Sequence, residues 1–334
     1  MKFKKKILAL TCLVFGLGFF VSSGQSAVEV DSNLAHYSPK TKVRGIIKTV
    51  GSDTMNNLMA LWGEGFQKYH PKVQIEIEGK GSSTAPPALI SGSSTFGPMS
   101  RKMKAKEVDE FEKKFGYKPV ALSTSIDMLA VYVNKDNPIR GLSLQEVDAI
   151  FSKTRKGGFA KDITTWGQVG LKGQWANKPI SLYGRNAASG TYGYFKEHAL
   201  FKGDYKDSVK EQPGSSSVVQ GVARDMYAIG YSGIGYKTAD VRAVPLANKG
   251  KAFKAAESQF AYNGQYPLAR SLYLYVNHQP GKALDALREE FLRYVFSQQG
   301  QKDVIKDGYL PINAKMANQM LQKVGINPSL MSKN

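Results

Sequence analysis

From Val43 onward the chain alternates short β-rich runs with amphipathic stretches, and polar, glycine-bearing loops stand where a run passes into a helix pattern. That rhythm restricts the fold to the α/β class, because strands followed by helices bury their apolar faces by stacking helices on a sheet. Strand candidates are residues 43–50, 73–77, 120–123, 129–133, 180–183, 228–231 and 241–246. Helix patterns cover residues 55–69, a short stretch around Pro86, 106–115, 192–200 and 217–226. Ser143 and Glu146 form a capping-box pattern, and Leu284, Leu287, Phe291 and Val295 make one helical stripe over 282–298. Residues 153–179 read as a surface excursion around short turns.

Two strand exits resemble each other. Val131-Tyr132-Val133-Asn134 runs on to Pro138, and Leu274-Tyr275-Val276-Asn277 runs on to Pro280. The pair reads either as two crossings between lobes or as two common strand endings. Taken as crossings, they divide the chain into one lobe from residues 27–134 plus 275–334 and another from 135–274. About 308 residues follow Ser26, enough for two domains with a core each.

Residues 1–26 read as a cleaved signal peptide. Lys2, Lys4, Lys5 and Lys6 precede the apolar run Ile7 to Val21, and small or polar residues follow to Ala27. The run is short for a membrane span, which needs about 20 apolar residues. Cys12, the one cysteine, sits in a weak lipoprotein-box context with nine apolar or small residues still to come. Cleavage near Ala27 removes it and leaves a mature chain without a disulfide. The net charge of +19 falls to about +15 without the leader. A basic exported protein attracts anions, but the charges are dispersed and no nucleic-acid motif accompanies them.

Three loops concentrate hydrogen-bond donors. Gly51-Ser52-Asp53-Thr54 joins a strand to a helix, where unpaired amides favour an anion. Gly79-Lys80-Gly81-Ser82-Ser83-Thr84 allows close backbone approach but lacks the nucleotide P-loop pattern. Gly184-Arg185-Asn186-Ala187-Ala188-Ser189-Gly190-Thr191 places Arg185, able to grip two oxyanion oxygens at once, just before Ser189, Gly190 and Thr191 at a helix start. Each loop also fits a plain helix cap or a solvated turn. Catalytic patterns are weaker: no GxSxG surrounds Ser189, and His36, His70, His198 and His278 form no metal motif. No metal or organic cofactor is expected.

Over residues 43–310 the chain resembles the phosphate-binding proteins of bacterial phosphate ABC importers. The matching segments are GSDTMNNL at 51, GKGSSTAPPAL at 79, TFGPMSRKM at 95, NKDNP at 134, GRNAASGTYGYF at 184, and SSVVQGV and AIGYSGIGY between 216 and 236. The resemblance implies a two-lobed periplasmic-binding-protein clamp with mixed sheets flanked by helices. It implies capture of inorganic phosphate in the periplasm and delivery to a membrane permease, without catalysis. The implied ligands are Ser52, Thr54, Ser83, Ser100, Arg185, Ser189, Gly190 and Thr191, in a monomer with no nucleic-acid partner. Some relatives carry an aspartate after the serine of the third loop, where it accepts the proton of hydrogen phosphate. Here that position is Arg101, which has no acceptor and either lines the cleft, points outward or pairs with a carboxylate such as Asp127. Rival expectations are another oxyanion such as sulfate, an exported phosphate-ester hydrolase with Ser52 or Ser189 as nucleophile, or an adhesive protein that keeps the clamp.

Overall fold

A computed structural model describes residues 27–327. The leader read over residues 1–26, Cys12 within it, and the closing Ser332-Lys333-Asn334 lie outside the described residues. Among the described residues, no helix is long and apolar enough to cross a membrane.

Strands β1 (Gly45–Val50) and β2 (Val73–Glu78) pair in parallel, with helix α1 (Asn56–Gln67) crossing between them, the connection that parallel neighbours require. Leu58, Met59, Trp62 and Phe66 recur at three- and four-residue spacing, so α1 buries them on one face. Trp62 also donates its indole N–H to Gly300 O at 2.9 Å, which ties α1 to the C-terminal part of the chain. Helix α2 (Ala85–Ser91), strand β3 (Gly97–Met99) and helix α3 (Ala105–Phe115) follow in this half.

An eight-stranded sheet runs in the order β3, Ala269–Val276, β4 (Val120–Asn134), Ala228–Gly233, Ser181–Arg185, Lys210–Gln212, with Val241–Ala243 and Leu310–Pro311 also paired to β4. Strand β4 serves both halves. Its first part pairs antiparallel with Ala269–Val276, and residues 129–133 pair with Ala228–Gly233. One core gathers Ile47, Trp62, Phe66, Leu122, Leu272 and Phe291. A second gathers Met128, Val131, Trp166, Phe195, Tyr231 and Leu268. The change of core therefore falls between Leu122 and Met128 on the way out, and between Leu268 and Leu272 on the way back.

Both positions precede the exits at Asn134 and near 275 that the sequence suggested. Asn134 closes β4, and Asn277 follows the strand Ala269–Val276. Asn134 donates to Ala223 O at 2.8 Å and accepts from Asp136 N at 3.1 Å, and Asn277 accepts from Tyr117 OH at 2.9 Å. The sequence suggests separate strands at 120–123 and 129–133, with Thr124, Ser125 and Asp127 between them. All three are fully buried inside one continuous strand. Thr124 Oγ1 donates to Leu272 O at 3.3 Å, and Asp127 pairs with an arginine described below. The stripe over 282–298 forms the helix Ala286–Val295, with Leu284 before its start, and a second helix, Gln298–Lys306, follows. Ser297 starts the second by accepting from Gly300 N at 3.2 Å. The capping box forms as read: Ser143 Oγ accepts from Glu146 N, and Glu146 Oε2 accepts from Ser143 N at 2.7 Å.

Asp307 ends the helix Gln298–Lys306. Burial, with the negative charge of Asp127 adding to it, pushes its carboxyl up to about 7. An unfolded aspartate titrates at about 3.9. Between those values the folded chain holds the extra proton, so stability falls as pH rises through this window and levels off above it. We expect Asp307→Asn to remove that slope and to stabilise the protein at pH 8 by about 1–3 kcal/mol. Urea unfolding of both proteins at pH 5 and pH 8 measures the effect, which should be present at pH 8 and smaller at pH 5.

Candidate functional site

Four hydroxyls from separate elements meet where the two cores face each other. After β1 the chain turns at Ser52, and a single 3-10 turn, Asp53–Met55, presents Thr54. Ser52 is buried and held by its backbone, its N–H donating to Pro98 O at 2.8 Å. Another such turn, Ser82–Thr84, follows Gly81, and Ser100 follows β3. Thr191 stands in the first turn of the helix Gly190–His198 in the other half. Thr54 Oγ1 and Thr191 Oγ1 are 2.9 Å apart, Ser100 and Thr191 hydroxyls 3.5 Å, and Ser82 and Ser100 hydroxyls 3.3 Å. All four residues are at most 1 % exposed.

Glycine permits this approach. A Cβ on Gly190 would lie 2.2 Å from Ser82 Oγ and 2.6 Å from Ser100 Oγ. Gly81 has φ +119°, and a Cβ there would meet Ala188 O at 2.5 Å. Ser83 N–H donates to that same carbonyl at 3.1 Å, a backbone bond from one half to the other. Ser189 caps its helix, accepting from Thr191 N at 3.1 Å and Tyr192 N at 3.3 Å.

Arg185 ends the strand Ser181–Arg185 and is 1 % exposed. Its NH1 donates to Ser215 Oγ at 2.7 Å and lies 3.1 Å from Asp53 Oδ2, while its NH2 donates to Pro213 O at 3.1 Å. Its Nε is buried without a hydrogen-bond partner. Burial pulls the guanidinium down from its usual pKa, and the Asp53 carboxylate opposes that shift. An arginine has five donors, so this one keeps capacity to bind an anion.

A second arginine was not singled out from the sequence. Arg270 donates through Nε and NH2 to Asp127 Oδ2 at 2.9 and 2.7 Å, through NH1 to Ser100 O at 2.9 Å, and through NH2 to Thr191 Oγ1 at 2.9 Å. Arg270 and Asp127 are direct partners across the two strands on which the core changes. Their signal was parity: Arg270 shares the buried face of its strand with Leu272 and Leu274, a face where an unpaired charge is not tolerated.

The sequence reading names Ser83 in this loop, and the hydroxyl that meets Ser100 is that of its neighbour Ser82. Ser82 stands among the site hydroxyls. The Ser83 hydroxyl instead accepts from Arg101 NH2 at 3.1 Å. Arg101 turns away to Glu107, which accepts from NH1 and NH2 at 2.7 Å each, so its carboxylate partner is Glu107 and not Asp127. We expect Arg101→Ala to change affinity for the site's anion less than about threefold, because its charged head is already neutralised outside the hydroxyl cluster. Titration of wild type and variant at one ionic strength measures this.

The arrangement offers many donors and no nucleophile–base pair. Hydroxyls from both halves meet at a helix start, and a buried guanidinium pairs with Asp53, the residue before Thr54; together these are the equipment of an oxyanion receptor.

A PBP superfamily domain matches residues 37–299. The phosphate-binding protein PstS of Pseudomonas aeruginosa is 51 % identical over 98 % of this chain and 100 % of that protein. The phosphate-binding protein PstS of Bacillus subtilis is 27 % identical over 93 % of this chain and 95 % of that protein. Among solved structures, an ABC-type phosphate transport receptor from Vibrio cholerae superposes with a TM-score of 0.60 at 21 % identity, covering 80 % of this chain and 100 % of that one; it speaks for the fold.

Proposed function

From the premise that this chain belongs to the PBP superfamily and, within it, to the PstS phosphate-binding proteins, we propose that it captures inorganic phosphate in the periplasm and delivers it to an ABC importer. The observation that carries this reading is the meeting of Thr54, Ser82, Ser100 and Thr191 from both halves, with the buried Arg185 paired to Asp53, the residue before Thr54. The anion contacts we assign are Thr54, Ser82 in the place first read for Ser83, Ser100, Arg185, Ser189, Gly190 and Thr191, with Ser52 holding the turn that presents Thr54. Arg270 joins them through Thr191. The lobe boundaries we assign lie where the core changes, within β4 and at the start of Ala269–Val276.

The protein makes and breaks no covalent bond in this account. It works as a monomer exported through a cleaved signal peptide, and it takes no nucleic-acid partner. The clamp follows from the site: donors on two lobes satisfy one anion only when the lobes are together. Phosphate is bound here largely by neutral dipoles, since Arg270 is already paired with Asp127 and Arg185 with Asp53. Hydroxyls both donate and accept, so the cluster can accept the proton of hydrogen phosphate without a free carboxylate at position 101.

Calorimetric titration of the phosphate-stripped protein with phosphate, arsenate and sulfate tests the reading. Saturable one-to-one phosphate binding with much weaker sulfate binding is expected. Sulfate binding as tight as phosphate, or no phosphate heat at all, would contradict it.

A further inference from the structure

We infer that Asp53 is a latch between the lobes, a positioning residue that holds Arg185 in the closed clamp and slows phosphate release. The inference rests on the proposed function for its ligand, and on geometry for the rest. Asp53 belongs to the turn after β1, in the first lobe. Every polar contact of its carboxylate described here runs to the second lobe. Oδ2 accepts from Ser215 N at 2.7 Å and lies 3.1 Å from Arg185 NH1. Its backbone carbonyl accepts from Tyr236 OH at 2.8 Å. Gly214 permits the approach, since a Cβ there would stand 3.2 Å from Asp53 Oδ1.

Two features suit the carboxylate to this work. Ser215 is the first residue of the ten-residue helix Ser215–Arg224, whose amino end favours a negative charge. Among the described residues, the Arg185 guanidinium is held within its own lobe by Ser215 Oγ and Pro213 O. Asp53 adds an anionic partner that ties the guanidinium to the turn carrying Thr54, one of the cluster hydroxyls. Opening the lobes parts Asp53 from Arg185, Ser215 N and Tyr236 together, so these bonds resist opening. They contribute little to the encounter with phosphate, which takes place while the lobes are apart. The carboxylate also repels a bound phosphate dianion. That repulsion acts across Arg185, whereas the latch bonds are direct and charge-assisted, and the direct contacts therefore dominate.

Stopped-flow kinetics with inorganic phosphate tests the latch on wild type, Asp53→Asn and Asp53→Ala. Asn keeps the shape and one acceptor but loses the ion pair. We expect koff to rise about tenfold in Asp53→Asn and further in Asp53→Ala, with kon changed less than about twofold. The melting temperature of the ligand-free protein should stay close to wild type, because Asp53 is partly exposed and its partners are in the other lobe. An unchanged or slower koff would overturn the latch and show that repulsion of the anion outweighs it. A fall in ligand-free stability together with altered kon would overturn it in favour of a general structural role. A wild-type protein that gives no phosphate signal would overturn the ligand assignment itself, and the latch with it.

Discussion

Arg185→Ala is expected to weaken phosphate binding about a hundredfold or more. The side chain is fully buried, its Nε has no hydrogen-bond partner among the described residues, and each charge-assisted bond it gives an anion is worth about 1.5–3 kcal/mol. Loss of one or two such bonds corresponds to a factor of about ten to about twenty thousand. The alanine also leaves Asp53 facing the site without its counter-charge, which adds repulsion to the lost attraction. Arg185→Lys should recover only part of the affinity. A single ammonium cannot at once reach Ser215 Oγ, Pro213 O and an anion as the planar fork does. Titration of the stripped variants at fixed ionic strength decides it. Affinity within about threefold of wild type in Arg185→Ala would return the loop to a helix start with a structural arginine.

Asp127→Ala carries the largest expected effect on stability. The carboxylate is fully buried and takes two donors from Arg270, and its Oδ1 also accepts from Ile234 N at 3.0 Å. Removing it leaves an uncompensated guanidinium between the two strands that join the lobes. Breaking a buried pair from one side costs about 3–5 kcal/mol. Asp127→Ala should therefore unfold at markedly lower urea concentration than wild type. Asp127→Ala combined with Arg270→Met, which removes both charges, should recover much of the loss, because the isolated charge is the main penalty. Equilibrium unfolding of the three proteins measures this. A double variant no more stable than Asp127→Ala would show that the pair acts through shape and not through charge.

The α/β alternation and the main donor loops were legible because each rests on local signals. A strand run, a glycine turn and a capped helix start leave their residue types in order, and Ser189-Gly190-Thr191 after Arg185 is one such string. Which serine of Ser82-Ser83 faces the site was not legible. In a 3-10 turn neighbouring side chains point about 120° apart, and only the approach of Ser100 and Gly190 picks Ser82. Arg270 and Asp127 were missed as a pair because they lie 143 residues apart in the chain and meet through strand register. Asp127 even disguised the strand that carries it, since polar residues inside an apolar run read as a break until a buried partner accounts for them. Asp53 was visible as part of a loop, but its partners come from the opposite lobe, a contact made by closure and not by local sequence.

The most direct test of the central claim is the position of the anion in a crystal structure of the protein with phosphate. Tetrahedral density is expected between the lobes, within hydrogen-bond distance of Thr54, Ser100, Thr191 and Arg185. Phosphate found instead in the open groove beside Lys104, Lys196 and Lys202, with the buried hydroxyls bonded only to one another, would contradict it.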